Sequence, residues 1–338
     1  MHSGIQERDG GVARFHRSDT GSNAAVSTEI TGYAASALVY LHSRTGKQEH
    51  LDAAVHAARY LTDRAWDAAA STFPFEPKSD RAYFFDIGII VRGLMAVWRA
   101  TQEEEFRARA QEAALSLAFD FLGDGAFHPV ISLPEKQPLP EEPRWSRQPG
   151  CYQLKSALAW RDAGGENGSR IFESALQQAL ATHAKFLSGE SDREKVMDRL
   201  HAYCYFLEAL LFAADRDDVR AALASGITRT GQLLREIGPV FERSDVNAQL
   251  LRVRLVAHHL GAVPLDEDFA RQEASRTASF QETEAVDPRV RGGFWFGRKG
   301  AQTLPFSNPV STAFCLQALA LWQDHQAGEW RFELPQLI

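Results

Sequence analysis

The stretch Phe84–Ala110, FFDIGIIVRGLMAVWRATQEEEFRARA, decides the fold. Its first half, Phe84 to Ala100, is apolar nearly all round, with Asp86, Arg92 and Arg99 as its only charges, and reads as a helix buried on every side. Its second half, from Glu103, keeps Phe106 and Ala110 on one face and charges on the others. A buried helix followed, after a short polar turn, by a charged one is a helical hairpin with an inner and an outer member.

The same hairpin recurs along the chain. Six helices carry a residue followed by Leu about two turns in: Ala37-Leu38, Gly93-Leu94, Ala157-Leu158, Ala209-Leu210, Arg254-Leu255 and Ala318-Leu319. The steps between these leucines are 56, 64, 52, 45 and 64 residues, about the length of two helices and their loops, and a more charged amphipathic run lies between successive members. Apolar-periodic runs are expected over Val26–Ser43, Glu49–Trp66, Phe84–Ala100, Glu103–Leu122, Cys151–Asp162 and Ser169–Leu187. Further runs cover Leu200–Ala214, Asp217–Glu236, Asp245–Leu260, Asp266–Phe280 and Val310–His325. β-Branched alternation is almost absent, so the expectation is an all-α protein of eleven to thirteen helices.

Composition narrows the function. With 37 basic and 44 acidic residues in 338, the net charge is −7, and the basic residues are interleaved with acids, so no nucleic-acid partner is expected. Cys151, Cys204 and Cys315 lie far apart with no C-x-x-C pair, which predicts neither a disulfide framework nor a metal site and suits a reducing cytoplasm. No apolar run is long enough for a membrane span, and no cofactor is expected. Residues 1–22 read as a flexible polar lead-in, and 23–338 as one domain.

Two blocks carry a family likeness. Phe84–Gly88, Val91–Leu94 and Thr101–Ala110 resemble a hairpin in which a "G-L" inner helix meets a "tG-[DE]-x-x-[YF]-x-x-x-A" outer one. Leu200–Tyr203 through Leu207–Leu211 is similar to the "H-x-x-x-Y-x-L-x-G-L-L" hairpins. Both resemble the (α/α)6 toroids, the six-hairpin glycosidase-like and terpenoid-cyclase-like group. The resemblance implies an (α/α)6 barrel whose inner-helix N-termini converge on one cavity, where helix dipoles favour carboxylates and other oxygen-rich ligands.

Candidate site residues follow from that geometry. They are Glu29 and Tyr33 on the first inner helix, Asp86 on the second, Cys151, Tyr152 and Gln153 on the third, and His201 and Tyr203 on the fourth. The fifth supplies Asp245, Asn247 and Gln249, and the sixth Asn308, Ser311 and Thr312. Capping is the first explanation for Asp245, which follows Ser244, and a better one still for Asn308, which Pro309 follows. Asp86 follows two phenylalanines and precedes an apolar run. A carboxyl against such a wall is held protonated and suits a general acid, unless capping or a salt bridge to Arg92 or Arg81 accounts for it. His201 and Tyr203, two apart on a helix, point about 200° from each other, whereas His201 and Tyr205 share a face. Trp145 and the pair Trp295 and Phe296 lie in loops where a sugar ring could stack, or where they could plug the core.

The expected function is carbohydrate-active: a glycoside hydrolase, or a lyase or epimerase, acting on an acidic, uronate-containing saccharide. Hydrolysis would pair Asp86 as acid with Glu29 or Asp245 as base. Elimination or epimerisation would move a proton through His201 or Tyr203, with Asn247 and Gln249 neutralising the carboxylate and Tyr33, Gln153 and the loop aromatics holding the sugar. A non-catalytic polysaccharide- or protein-binding toroid is the alternative. A terpenoid cyclase would need an Asp-rich or D-x-D-D motif, which the sequence lacks.

Overall fold

A computed structural model of the chain describes residues 4–123 and 126–338; Asp124, the start of the long Pro-rich connection, lies outside them. Among the described residues there are eleven α-helices and no strand longer than three residues. The chain groups into two compact units, residues 1–14 with 23–179 and residues 15–22 with 180–338.

In the first unit, α1 (Thr28–Thr45) turns into α2 (Gln48–Tyr60), and α3 (Phe84–Thr101) into α4 (Glu104–Phe119). Then come α5 (Gln153–Ala163) and α6 (Gly165–Phe186), which runs on past Ala179. Ser27 starts α1 by accepting the Ile30 N–H, and Gly46, with φ of 67°, ends it in the left-handed region that Gly adopts without strain. α1, α3 and α5 are the inner members: α3 is buried from Phe84 to Met95, whereas α4 buries one face through Phe106, Ala110, Ala113, Ala114 and Leu117.

Two close approaches hold these inner helices together. A Cβ on Gly93 would lie 2.4 Å from the carbonyl oxygen of Gly32, and one on Gly88 would lie 2.3 Å from the Cβ of Ser156, whose hydroxyl donates to the Phe85 carbonyl at 2.8 Å. Only glycine admits such contact. Gly93→Ala should therefore lower stability by about 1–3 kcal/mol through overpacking, read by urea denaturation; parental stability would mean that α1 and α3 pack less tightly.

The second unit repeats the plan with α7 (Arg193–Leu210), α8 (Asp217–Ile237), α9 (Ser244–His259), α10 (Glu267–Ala278) and α11 (Pro309–Gln326). Inner helix α9 is buried without interruption from Ser244 to Ala257. α11 opens as expected, with Asn308 accepting the Ser311 N–H at 2.6 Å and Pro309 at the first turn. The repeat leucines all fall on odd-numbered helices. Leu38, Leu94, Leu158, Leu210 and Leu255 are buried and Leu319 is half-buried.

The short strands have a positional role. Arg81–Tyr83 pairs antiparallel with Val130–Ser132 and runs directly into α3; Phe241–Arg243 pairs with Gly297–Lys299 and runs directly into α9. Each pins the start of an inner helix that bears a buried acid. Residues 4–22, expected as a flexible lead-in, carry buried Ile5, Val12, Ala13 and His16, because Thr31 accepts the Val12 N–H at 2.9 Å and His16 pairs with Ser307 across a short ladder. α7 starts seven residues earlier than periodicity suggested, capped by Asp192, which accepts the Glu194 and Lys195 N–H groups.

Candidate active site

The first unit brings two carboxyls together at the starts of α1 and α3. Asp86 lies in the first turn of α3 and is 7% exposed, and its Oδ2 has no hydrogen-bond partner among the described residues. It neither caps the helix nor pairs with the arginines that could have claimed it. Arg81 is held by Asp80 at 2.8 Å, and Arg92 lies 3.4 Å from Asp162. Burial, then the charge of Glu29, pushes the Asp86 carboxyl well above the ordinary range, against the opposing pull of Arg14 and Arg144. Glu29, in the first turn of α1, is half-buried, and burial pushes it up to about 7 against the same two arginines. One proton shared by two such groups suits acid–base chemistry near neutral pH.

Aromatic rings gather on the Asp86 side of the pair. Tyr152 is buried, its phenol pushed up by burial and by the charge of Asp86, and it donates to the Gln148 carbonyl at 3.0 Å. Half-buried Trp145 packs edge-on against Tyr152 with ring centres 5.0 Å apart, and against Phe85 at 6.4 Å. Tyr33 is buried within α1. Gln153 bonds the backbone with both ends of its amide: its Oε1 accepts the Gly150 N–H and its Nε2 donates to the Phe127 carbonyl, both at 3.0 Å, so it fixes the turn before α5.

Arg14 and Arg144 have no counterpart in the sequence-based expectations. Arg14 reaches Glu76 at 2.8 Å and lies over Phe75 at 4.8 Å. Arg144 is exposed, and no carboxylate among the described residues lies within ion-pair distance of it. The only available signal was its place beside Trp145.

The second unit assembles a different cluster. Arg243 grips Asp245 with two hydrogen bonds, Nε to Oδ1 at 2.9 Å and Nη2 to Oδ2 at 2.7 Å, and reaches Asp198 at 2.7 Å. Ser311 donates to Asp245 at 3.2 Å. Burial alone would raise the Asp245 carboxyl; Arg243, His201 and these hydrogen bonds outweigh it and hold the carboxyl below its ordinary value. Asp245 is thus a buried, fully engaged carboxylate and a poor base, which corrects its pairing with Asp86.

His201 is locked in the same way. Its Nδ1 lies 2.8 Å from Gln249 Oε1 and 3.7 Å from Asp245, and its Nε2 lies 2.9 Å from the Tyr205 hydroxyl. Burial, then the charge of Arg243, pushes it down to about 4, so the ring is neutral, with Nδ1–H donating to Gln249 and Nε2 accepting from Tyr205. The shared face of His201 and Tyr205 is as expected. Tyr203 points away, its hydroxyl 2.8 Å from His183 Nδ1, and does not join His201.

The remaining candidates are engaged locally. Asn247 sends its Nδ2 to Glu242 at 3.0 Å and to the Arg243 carbonyl at 3.1 Å, on the side of α9 facing α8 and α10. Trp295 donates to Glu282 at 3.3 Å, and Phe296 stacks on Phe306 at 4.8 Å beneath Arg243. Thr312 accepts the Phe294 N–H at 3.2 Å. Cys151, Cys204 and Cys315 are buried and form no disulfide. Among the described residues no cluster of His, Cys, Asp and Glu could hold a metal ion, and no helix is long and apolar enough to cross a membrane.

No family model matches the sequence, and no curated protein matches it. Solved structures do. Cellobiose 2-epimerase from Spirochaeta thermophila superposes with a TM-score of 0.73 at 14% identity, over 96% of this chain and 93% of that one. Unsaturated glucuronyl hydrolase from a Bacillus species gives 0.64 at 14% identity, over 94% and 92%. A polysaccharide lyase gives 0.60 at 11% identity, over 90% and 92%. These are (α/α)6 toroid enzymes of the six-hairpin glycosidase-like kind, and the chain has their all-α fold.

Proposed function

We propose that the protein is a carbohydrate-active enzyme, a glycoside hydrolase for an acidic saccharide, with Asp86 as proton donor and Glu29 as its base. The observation that carries this reading is the buried Asp86 carboxyl, held protonated and with Oδ2 unpartnered beside a second raised carboxyl. Protonated Asp86 gives its proton to the glycosidic oxygen as the bond to the anomeric carbon breaks. Water adds to that carbon and Glu29, ionised, takes the water proton. Exposed Arg144 supplies a cation for a uronate, and Trp145 a face for the ring. The folds of the hydrolase, lyase and epimerase named above support the class of substrate. Hydrolysis is favoured over proton exchange through His201 because both nitrogens of that ring are already engaged. Buried cysteines suit a reducing compartment, and a cytoplasmic location is part of this reading.

Incubation with uronate-containing and neutral oligosaccharides in D2O, followed by proton NMR, tests it. New reducing ends without deuterium beside the carbonyl are expected; deuterium incorporation with an intact chain would mean epimerisation. Trp145→Ala should weaken oligosaccharide binding at least ~tenfold while leaving the melting temperature within a few degrees, because stacking at a half-buried ring contributes more to the ligand than to the core. A drop in stability of about 3–5 kcal/mol would instead make Trp145 a structural plug.

A further inference from the structure

Tyr83 ends the strand that runs into α3, three residues before Asp86, and is half-buried. Its neighbours tie it to the carboxyl pair. Its ring centre lies 5.1 Å from that of Phe75, over which Arg14 sits at 4.8 Å, and the charge of Arg14 reaches both Asp86 and Glu29. The buried Tyr152 phenol lies within electrostatic reach of Asp86 and of Tyr83 alike.

Arg147 fixes the Tyr83 hydroxyl. The Arg147 side chain is 7% exposed; its Nη2 donates to Glu142 at 2.6 Å and its Nη1 to the Tyr83 oxygen at 3.2 Å. A guanidinium can only donate, so the phenol oxygen is the acceptor in that bond and its own proton points elsewhere. Among the described residues no group accepts that proton. Arg81, two residues earlier on the strand and so on the same face, also reaches the phenol and cannot accept either. A phenol turned this way beside the carboxyl pair is a donor for a ligand oxygen, and a saccharide offers hydroxyl, ring and carboxylate oxygens. Because Arg147 holds the oxygen before any ligand arrives, little ordering is left to offset the gain on binding.

We propose that Tyr83 is a substrate-binding residue of this site, its hydroxyl donating to an oxygen of the saccharide. The inference rests on the saccharide reading of the site but not on hydrolysis, since a sugar bound for any other reaction would meet the same donor.

Titration calorimetry of the full chain with trigalacturonate and with cellotriose tests it, on the parent where the probe survives and on an Asp86→Asn background where it is cleaved. Saturable binding of at least one probe is expected. Tyr83→Phe keeps the ring against Phe75 and removes only the hydroxyl; it should weaken the tighter probe about five- to twentyfold. Where the probe is cleaved, KM should rise by the same factor with kcat within about twofold, as for a contact made equally in ground and transition states. The variant also takes the acceptor from Arg147, so its melting temperature should fall by a few degrees with an unchanged circular dichroism spectrum. That fall with affinity kept at the parental value would make Tyr83 structural and overturn the proposal, as would no saturable binding of either probe. Weakened binding without cleavage of either probe would end the hydrolase reading and leave Tyr83 as a saccharide contact.

Discussion

Asp86→Asn is expected to reduce turnover on a cleaved saccharide by at least ~10² while leaving the fold intact. Asn fills the same space in the first turn of α3 but has no proton to give. The parental pH–rate profile should rise as Glu29 ionises near 7 and carry a falling limb where Asp86 loses its proton; the residual activity of the variant should lose the falling limb. Stability carries the same signature with a definite sign. Both carboxyls titrate above their ordinary values of 3.8 and 4.5, so above those values the folded chain binds more protons than the unfolded one, up to about 7 for Glu29, and stability is lost as pH rises until each folded carboxyl ionises. Asn at position 86 removes part of that loss. The variant should therefore gain melting temperature relative to the parent at pH 8 compared with pH 5. Activity that survives the substitution intact would remove Asp86 from the reaction.

What could be read from the sequence was whatever depends on local period. The repeat leucines announce the inner helices because burial on all sides leaves no polar face to interrupt them, and Asn308-Pro309 announces the start of α11 because capping is a contact between neighbours in the chain. Asp86 was legible for a related reason: Phe84, Phe85 and Ile87 surround it within one turn. Asp245 looked equivalent and is not, because Arg243, two residues earlier, doubles back to hold both its oxygens. Asn247 could have been placed correctly by the 200° that separates residues two apart on a helix, the same rule that parts His201 from Tyr203. Arg14 and Arg144 were beyond local reading. They reach the carboxyl pair from a leading segment and a long loop, and only tertiary packing brings such charges to a helix start.

The largest stability loss is expected from Glu208→Ala, about 3–5 kcal/mol. Glu208 and Arg252 form an ion pair between α7 and α9 with neither side chain exposed. Arg252 also donates to Gln317 of α11 at 2.9 Å and lies 4.0 Å over the ring of Phe314, so one guanidinium ties three inner helices of the second unit. Truncating the acid leaves that cation buried without its Glu208 counter-charge, and Gln317, the Ile338 oxygen at 3.3 Å and the ring do not replace it, since they offset only part of the desolvation. Removing both charges is a different perturbation. Glu208→Leu with Arg252→Met keeps volume and polarity matched and should recover most of the loss, because the pair's attraction barely repays the cost of burying it. Urea denaturation of the single and double variants reads both values. A single-variant loss below ~1 kcal/mol would mean that water reaches the pair and that its burial is not as the structure shows.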